Sequence, residues 1–287
     1  MLSDQATSQV ALKQHDHACW SYRTDQERTD VLASFYAAGL AAHERLFYFA
    51  SDGSEATALQ GLTDAGHDVA ALMAAGDIVV AEVESAYFPH STFDARANLE
   101  GFRTLAQQAI ADGFMGIRVA AENATVLNHP LIRDSWFEYE LQVDALVSAE
   151  PIIGLCAFDR RQCDAETLAL LDAVHLLQVD PTGSAPHSGF HLHTAEEDVL
   201  VLTGDIDRFA VDSLQRLLSS PVRKRHKITL DLRGLSFLDT AGMRALEELA
   251  TDRPSSYKKI RLRGVTDFQH HAWNVTGNPR RLALLAD

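Results

Sequence analysis

One stretch decides the fold of the C-terminal part of the chain: residues 231–246, which read DLRGLSFLDTAGMRAL. Apolar and polar residues alternate up to Leu232, which predicts a strand, and Gly234 is expected to break that strand. Asp239 stands before apolar residues at three-residue spacing, and Asp is a strong N-cap residue. A helix is therefore predicted to begin at Thr240, with the hydroxyl exposed at the positive end of the helix dipole.

On their own, Asp239 and Thr240 are typical of an ordinary helix cap. The whole stretch has strand, connector, cap and Gly242 in order, and it resembles the signature of the STAS domain of bacterial anti-anti-sigma factors. In that family the Ser or Thr after the second Asp is phosphorylated by a partner kinase, and that position here is Thr240. The step from Gly204 to Asp207 also resembles the G-x-x-D step of the family. The resemblance implies a partner-docking and phosphate region made of Asp205, Asp207, Asp231, Asp239 and Gly242.

The composition is that of a soluble globular protein, with 287 residues, 46% apolar residues and a formal net charge of −15. The length suggests two domains. Nucleic-acid binding needs a basic surface, so the charge argues against it. No apolar run approaches the roughly 18 residues of a membrane span, and the first residues do not read as a signal peptide. We therefore expect a cytoplasmic protein with reduced thiols at Cys19, Cys156 and Cys163.

Strands and helices alternate along the first part of the chain, which predicts an α/β fold with a parallel sheet. The predicted strands are residues 45–50, 77–82, 115–120 and 149–157. A stretch rich in Pro, Gly and Ser predicts a linker over residues 181–189. The predicted domains are thus residues 1–180 and a STAS domain at 190–287, which is also α/β. The last residues, 277–287, are expected to pack as a final helix.

The densest cluster of candidate metal ligands is near the N-terminus, where His15, His17 and Cys19 follow one another at two-residue spacing. Imidazole and thiolate are ligands for zinc and for haem iron. The spacing is not that of a usual chelating motif, however, and a polar loop with one buried Cys is the simpler interpretation. Cys156 falls on a predicted central strand, where a core thiol is the simpler interpretation.

The loop after the first predicted strand, residues 49–55, stands where a parallel sheet would bind phosphate. It has no G-x-x-x-x-G-K-[ST] motif, and no Lys in the loop could reach a phosphate. Nucleotide hydrolysis is therefore rejected. A helix that is capped by Ser54 could still hold an anion at its N-terminus.

Five separated stretches of the first domain form one further pattern. They are His17-x-Cys19-x-x-Tyr22, Gly39-Leu40, Glu44-Arg45, the aromatic and acidic residues 136–140, and residues 155–160. Over roughly residues 15–178 this pattern resembles the MEDS sensory domain, which has a RecA/KaiC-like α/β fold without a working phosphate loop and is thought to sense small molecules. The resemblance implies a ligand site with the candidate residues His17, Cys19, Tyr22, Glu44, Arg118, Glu138 and Cys156. Taken alone, residues 136–140 are more typical of a half-solvated helix face.

The sequence thus predicts a regulator with two parts. The N-terminal domain would sense a small ligand or a partner, and the STAS domain would bind a kinase-type anti-sigma factor until Thr240 is phosphorylated. The alternative is a ligand-, haem- or metal-binding sensor whose STAS domain is an unphosphorylated scaffold in a signalling assembly. An enzyme has little support, because no Ser/His/Asp order or chelating motif connects the scattered histidines. Nucleic acid and membranes are not expected as partners, and a homodimer is left open.

Overall fold

The computed structural model divides into two compact units. The first unit is drawn from residues 1–133, 146–164 and 177–185, and the second from residues 134–145, 165–176 and 186–287. The residues described are 12–51, 53–54, 58–88, 92–129, 132–179, 189–196, 198–254, 256–276 and 282–285. The linker predicted at 181–189 lies outside the described residues except for Gly189.

The first unit is built on a parallel sheet. Its described strands are β1 (His17–Tyr22), β2 (Arg45–Ala50), β3 (Ile78–Glu82), β4 (Ile117–Glu122), β5 (Ile152–Asp159) and β6 (Leu177–Val179). The helices found between these strands in the chain are α1 (Asp25–Ala41), α2 (Gln60–Asp64), α3 (Val69–Ala75), α4 (Val83–Tyr87), α5 (Ala95–Ala111), α6 (Ala124–Leu127), α7 (Arg133–Ala149) and α8 (Ala165–Ala173). The strand order is β3-β2-β4-β5-β1-β6, and every described pair is parallel.

The sheet of the first unit separates the side chains of each strand into two sets. Successive side chains on a strand point to opposite faces of the sheet. On β1, Trp20 and Tyr22 point to the face that α1 covers, where they join Phe35 in a buried apolar cluster. His17 and Cys19 point to the other face and are buried as well. A strand buried on both faces is what a parallel sheet with covered faces requires.

The second unit is built on a mixed sheet. Its described strands are β7 (Phe190–Glu196), β8 (Val199–Ile206), β9 (Thr229–Leu238), β10 (Ile260–Arg263) and β11 (Leu282–Leu284), and its further helices are α9 (Val211–Lys224), α10 (Thr240–Thr251) and α11 (Asp267–Thr276). The order is β11-β10-β9-β8-β7. Strands β7 and β8 form an antiparallel hairpin, and the other neighbours are parallel. Leu214 and Leu217 of α9 and Leu246 of α10 belong to the same buried cluster as Leu230 of β9.

The predicted fold class is confirmed, because both units are α/β and the first sheet is wholly parallel among its described strands. Within the described residues, no helix combines the length and the apolar character needed to cross a bilayer.

Three local expectations are wrong. The polar loop that was the simpler interpretation of residues 15–19 is strand β1 from His17 onward, because β5 and β6 supply hydrogen-bond partners on both sides. Gly234 does not end β9; the strand continues to Leu238 with shifts in its register against β8. The tail is not a helix where it is described, since Leu282–Leu284 pairs with β10 as a strand.

Candidate functional site

The first candidate group lies on the face of the first sheet that is opposite α1, where β1 and β5 are neighbours. His17 is paired in register with Gly154, and Cys19 with Cys156. Gly154 leaves room for the imidazole, because a Cβ there would lie 3.1 Å from His17 Cδ2. His17 Nε2 lies 3.3 Å from Cys156 Sγ, and both side chains are buried. An imidazole and a thiol at this distance could be neighbouring ligands of one zinc ion, and either of them alone is a ligand that haem iron accepts.

His15 is positioned differently from His17. It lies before β1 with a φ of 74°, and its Nδ1 atom is 3.2 Å from the carbonyl oxygen of Val147. The two histidines that are close in sequence therefore have different neighbours. The neighbour of His17 is Cys156, which is distant in sequence and which the two-residue spacing could not reveal.

The second candidate group is a buried ion pair on the α1 side of the sheet. Glu44 Oε2 accepts a hydrogen bond from Arg118 Nε at 2.6 Å, and Glu44 Oε1 accepts one from Gln14 Nε2 at 2.6 Å. The guanidinium carbon of Arg118 lies 4.8 Å from the centre of the Phe35 ring. A Cβ on Gly39 would lie 2.8 Å from Arg118 Cδ, so the glycine makes room for the arginine. This arrangement favours a structural ion pair over a ligand site.

The third group lies at the carboxyl ends of β2 and β4 and is centred on the buried Glu122. Glu122 Oε1 accepts hydrogen bonds from Tyr48 Oη at 2.6 Å and from Arg28 Nη1 at 3.4 Å. Glu122 Oε2 accepts one from the Ser51 backbone N–H at 3.1 Å and one from the Ser51 hydroxyl. The ring of Tyr22 lies 5.8 Å from the Arg28 guanidinium carbon. Burial, and then the Glu122 charge, raise the pKa of Tyr22 and of Tyr48, so both phenols stay protonated.

The helix start predicted after Ser54 falls on residues 55–57, which lie outside the described part of the chain. The Ser54 hydroxyl itself is buried, 3.1 Å from Tyr48 Oη. The loop after β2 is therefore tied to the Glu122 group at both Ser51 and Ser54.

One candidate residue of the second unit, Glu138, is engaged in packing between helices. Glu138 on α7 accepts a hydrogen bond from Lys224 Nζ of α9 at 2.8 Å. The sequence did not single out His175, and it included Glu140 only as part of the stretch 136–140. Both residues are fully buried, and His175 Nε2 lies 3.6 Å from Glu140 Oε2. His175 Nδ1 lies 2.7 Å from the carbonyl oxygen of Leu171, which favours a proton on that nitrogen.

Thr240 is the first residue of α10 and is exposed. Asp239 caps this helix, because its Oδ1 atom accepts hydrogen bonds from the backbone N–H groups of Ala241 at 2.8 Å and Gly242 at 2.9 Å. A Cβ on Gly242 would lie 2.7 Å from Ile206 Cγ2. The glycine thus lets the first turn of α10 pack closely on the end of β8.

Asp231 lies apart from Thr240. It sits near the start of β9, whereas Thr240 follows the end of that strand, and successive residues of a strand advance about 3.3 Å. Its buried carboxylate accepts hydrogen bonds from Arg233 Nε and Nη2. These bonds lower the pKa of Asp231 although burial acts in the other direction. Asp231 therefore contributes to the sheet and not to the surface around Thr240.

The surface around Thr240 is more apolar than the sequence suggested. Phe209 is 77% exposed and Phe237 is 53% exposed. Phe237 is the register partner of the exposed Asp205, and Asp207 accepts a hydrogen bond from the backbone N–H of Phe209 at 2.8 Å. Since β8 and β9 are parallel and end in register, the residues that follow them meet at one edge. We call Asp205, Phe209, Phe237 and Thr240 the docking face.

Sequence analysis missed Arg28, Tyr48 and Glu122 of the Glu122 group, and it included Ser51 only as part of the loop 49–55. A signal existed for two of them, because Ser51 follows one apolar strand and Glu122 ends another, and ligands of α/β sheets bind at such strand ends. Arg28 and Tyr48 carry no local signal. Their convergence on Glu122 depends on the strand order.

Comparison with known families divides the chain into two matches. Residues 16–176, more than half of the chain, match the family described as MEDS: MEthanogen/methylotroph, DcmR Sensory domain. Residues 192–284 match the family described as Mlab, STAS domain. No curated protein matches the sequence closely enough to count as a relative.

Proposed function

Because the chain belongs to the MEDS family of sensory domains and carries a STAS domain after it, we propose that it is an anti-sigma factor antagonist with a built-in sensor. Both families are regulatory or sensory. In this proposal the STAS domain binds a kinase-type anti-sigma factor through the docking face. Phosphorylation of Thr240 ends that binding, and a small ligand or partner of the MEDS domain controls it.

The observation that carries the proposal is the setting of Thr240. Its hydroxyl is exposed at the start of a capped helix, where a kinase can reach it without unfolding the chain. Phe209 and Phe237 supply exposed apolar surface at the same edge, and exposed aromatic side chains of this kind mark protein–protein contacts. A partner that covered these two rings would cover Thr240 as well.

Phosphorylation would change the charge of the docking face without touching the core. A phosphate adds about −1.5 to −2 charges. The helix dipole would stabilise it. Asp239 already accepts the N–H groups of Ala241 and Gly242, however, so the phosphate would stand beside a carboxylate and not over free amides. The expected result is an intact fold with a docking face that repels its former partner.

The test is capture of the partner from a lysate of the source cell with Thr240→Ala as bait, followed by mass spectrometry. We expect Thr240→Ala to retain a kinase-type partner and Thr240→Glu to lose it, with unchanged circular dichroism. Thr251→Glu is the matched control, because Thr251 is an exposed threonine at the other end of α10. Equal capture by Thr240→Ala and Thr240→Glu would overturn the phosphorylation switch.

A second candidate function, a metal or haem sensor, is favoured by the buried pair of His17 and Cys156 at 3.3 Å. In that case the STAS domain would be an unphosphorylated scaffold. The purified protein would contain a metal, or would bind added Zn²⁺ or haem, and both His17→Ala and Cys156→Ser would lower the stoichiometry. Cys163→Ser, at a cysteine outside this pair, would not. Elemental analysis and an absorption spectrum that detect no bound metal or haem in any of these proteins would exclude the metal sensor.

A further inference from the structure

The crevice at the carboxyl ends of β2 and β4 is the place where the sheet of the first unit changes direction. From β2 the chain crosses to β3 on one side, and from β4 it crosses to β5 on the other side. The loops that leave these two strands therefore diverge and leave a crevice between them. In open α/β sheets, ligands bind at such a point, and backbone N–H groups of the loops commonly hold their anionic groups.

In this protein a carboxylate of the chain occupies that crevice. The donors that converge on Glu122 are the Ser51 N–H and hydroxyl from the loop after β2, Tyr48 Oη from β2, and Arg28 Nη1 from α1. Glu122 is 2% exposed and Arg28 is 7% exposed. A backbone N–H, two hydroxyls and a guanidinium around one buried carboxylate form the donor set that a protein uses to bind a carboxylate or phosphate ligand.

The donors come from three elements, and the carboxylate comes from a fourth. Tyr48 and Arg28 would keep their positions if Glu122 rotated away, because they belong to β2 and α1. Ser51 is only partly buried, so this edge of the crevice faces solvent. The donors that an anion-binding site needs are therefore present, with a carboxylate of the chain as their acceptor and with the partly buried Ser51 on the solvent side.

We propose that this crevice is the ligand site of the sensory domain and that a small molecule carrying a carboxylate or phosphate group binds there by taking the donors of Ser51 and Arg28 from Glu122. The inference rests on the proposed sensory role of the first unit and names the ligand class and the residues. Displacement of Glu122 breaks the hydrogen bonds that join Ser51 to the end of β4, which couples the ligand to a change at one edge of the sheet.

The test measures binding of inorganic phosphate and of acetate to the full chain by titration calorimetry, at constant ionic strength with chloride as the balancing anion. Glu122→Gln keeps the side-chain shape, but its amide NH2 group cannot accept hydrogen bonds from Ser51. We therefore expect Glu122→Gln to bind at least one of the two anions about tenfold or more tightly than the wild type does. The added change Ser51→Ala should reduce that gain, because it removes the hydroxyl donor and keeps the backbone N–H. Glu100→Gln, at an exposed glutamate of α5, is the matched control and should bind as the wild type does.

Equal affinity of the wild type and Glu122→Gln for both anions would overturn the proposal, and so would a gain that Ser51→Ala leaves undiminished. If Glu122→Gln does not fold, the single variant Ser51→Ala tests whether the crevice binds these anions. It weakens binding of these anions if the crevice is the site and leaves binding unchanged if it is not. None of these measurements depends on Thr240, so failure of the anion site and failure of the phosphorylation switch are separate results.

Discussion

Asp231 is held by hydrogen bonds within the second unit, although the family resemblance placed it in the partner-docking and phosphate region. Arg233 binds both of its carboxylate oxygens, through Nε at 2.9 Å and Nη2 at 2.6 Å, and Arg263 Nη1 lies 3.6 Å from Oδ2. Paired donors of this kind form some of the strongest hydrogen bonds in proteins. The aspartate is thus held in the ionised form inside the sheet.

The change Asp231→Asn should lower the free energy of unfolding by about 1–3 kcal/mol at neutral pH. The folded-state pKa of Asp231 is lowered, mainly by its hydrogen bonds with Arg233. Its stabilising effect is therefore complete above the unfolded-state pKa of about 3.9 and is lost as the pH falls through the lower folded-state pKa. Urea unfolding of both proteins across this range should show the difference shrinking in acid. Asp205→Asn, at an exposed position of β8, should have little effect, and a difference for Asp231→Asn that is independent of pH would contradict this account.

Two glycines inside helices show that the neighbouring atoms decide whether a change from glycine to alanine stabilises or destabilises the protein. Gly39 of α1 faces the sheet, where an added Cβ would lie 2.5 Å from Leu46 Cδ2. Gly101 of α5 has open space around it. Both residues are inside long helices of the first unit, so their backbone propensities are comparable.

We expect Gly39→Ala to destabilise the protein by about 1–3 kcal/mol, because the added carbon overpacks the contact between α1 and β2. Gly101→Ala should instead stabilise it by about 0.5–1 kcal/mol, because alanine loses less backbone entropy in a helix. Denaturant unfolding of the two variants beside the wild type gives the comparison. Changes of the same sign would show that packing does not decide the effect.

The elements that sequence predicted well are those with local signals. Strand β2 is an apolar run after Arg45, and α10 has its cap, Asp239, three residues before its glycine, Gly242, so both were predictable. Strand β1 was missed because His17 and Ser21 interrupt its apolar pattern, although neighbouring strands bury it. The Glu122 group could not be assembled from sequence, because the adjacency of β2 and β4 follows from the strand order and leaves no mark on either strand.

For the whole molecule, the formal net charge of −15 predicts how the chain behaves toward other polyanions. Association with a nucleic-acid backbone needs a basic surface and is opposed by this charge. In about 0.1 M salt, where screening extends over roughly 10 Å, the protein should pass through a heparin column and bind to an anion exchanger. It should also leave the mobility of duplex DNA unchanged. Retention on heparin would reveal a local basic surface that the net charge conceals.

The position of β1 between β5 and β6 has a consequence for synthesis of the protein on the ribosome. β1 is made before β5 and β6, so it gains these neighbours only after residue 152 has been added. Synthesis adds about 5–20 residues per second, so the segment that becomes β1, with Trp20, is without its neighbouring strands for on the order of ten seconds. Such a delay leaves an apolar strand edge open to other nascent chains. Holdase chaperones should therefore bind the emerging chain most strongly in the interval between the synthesis of β1 and that of β5.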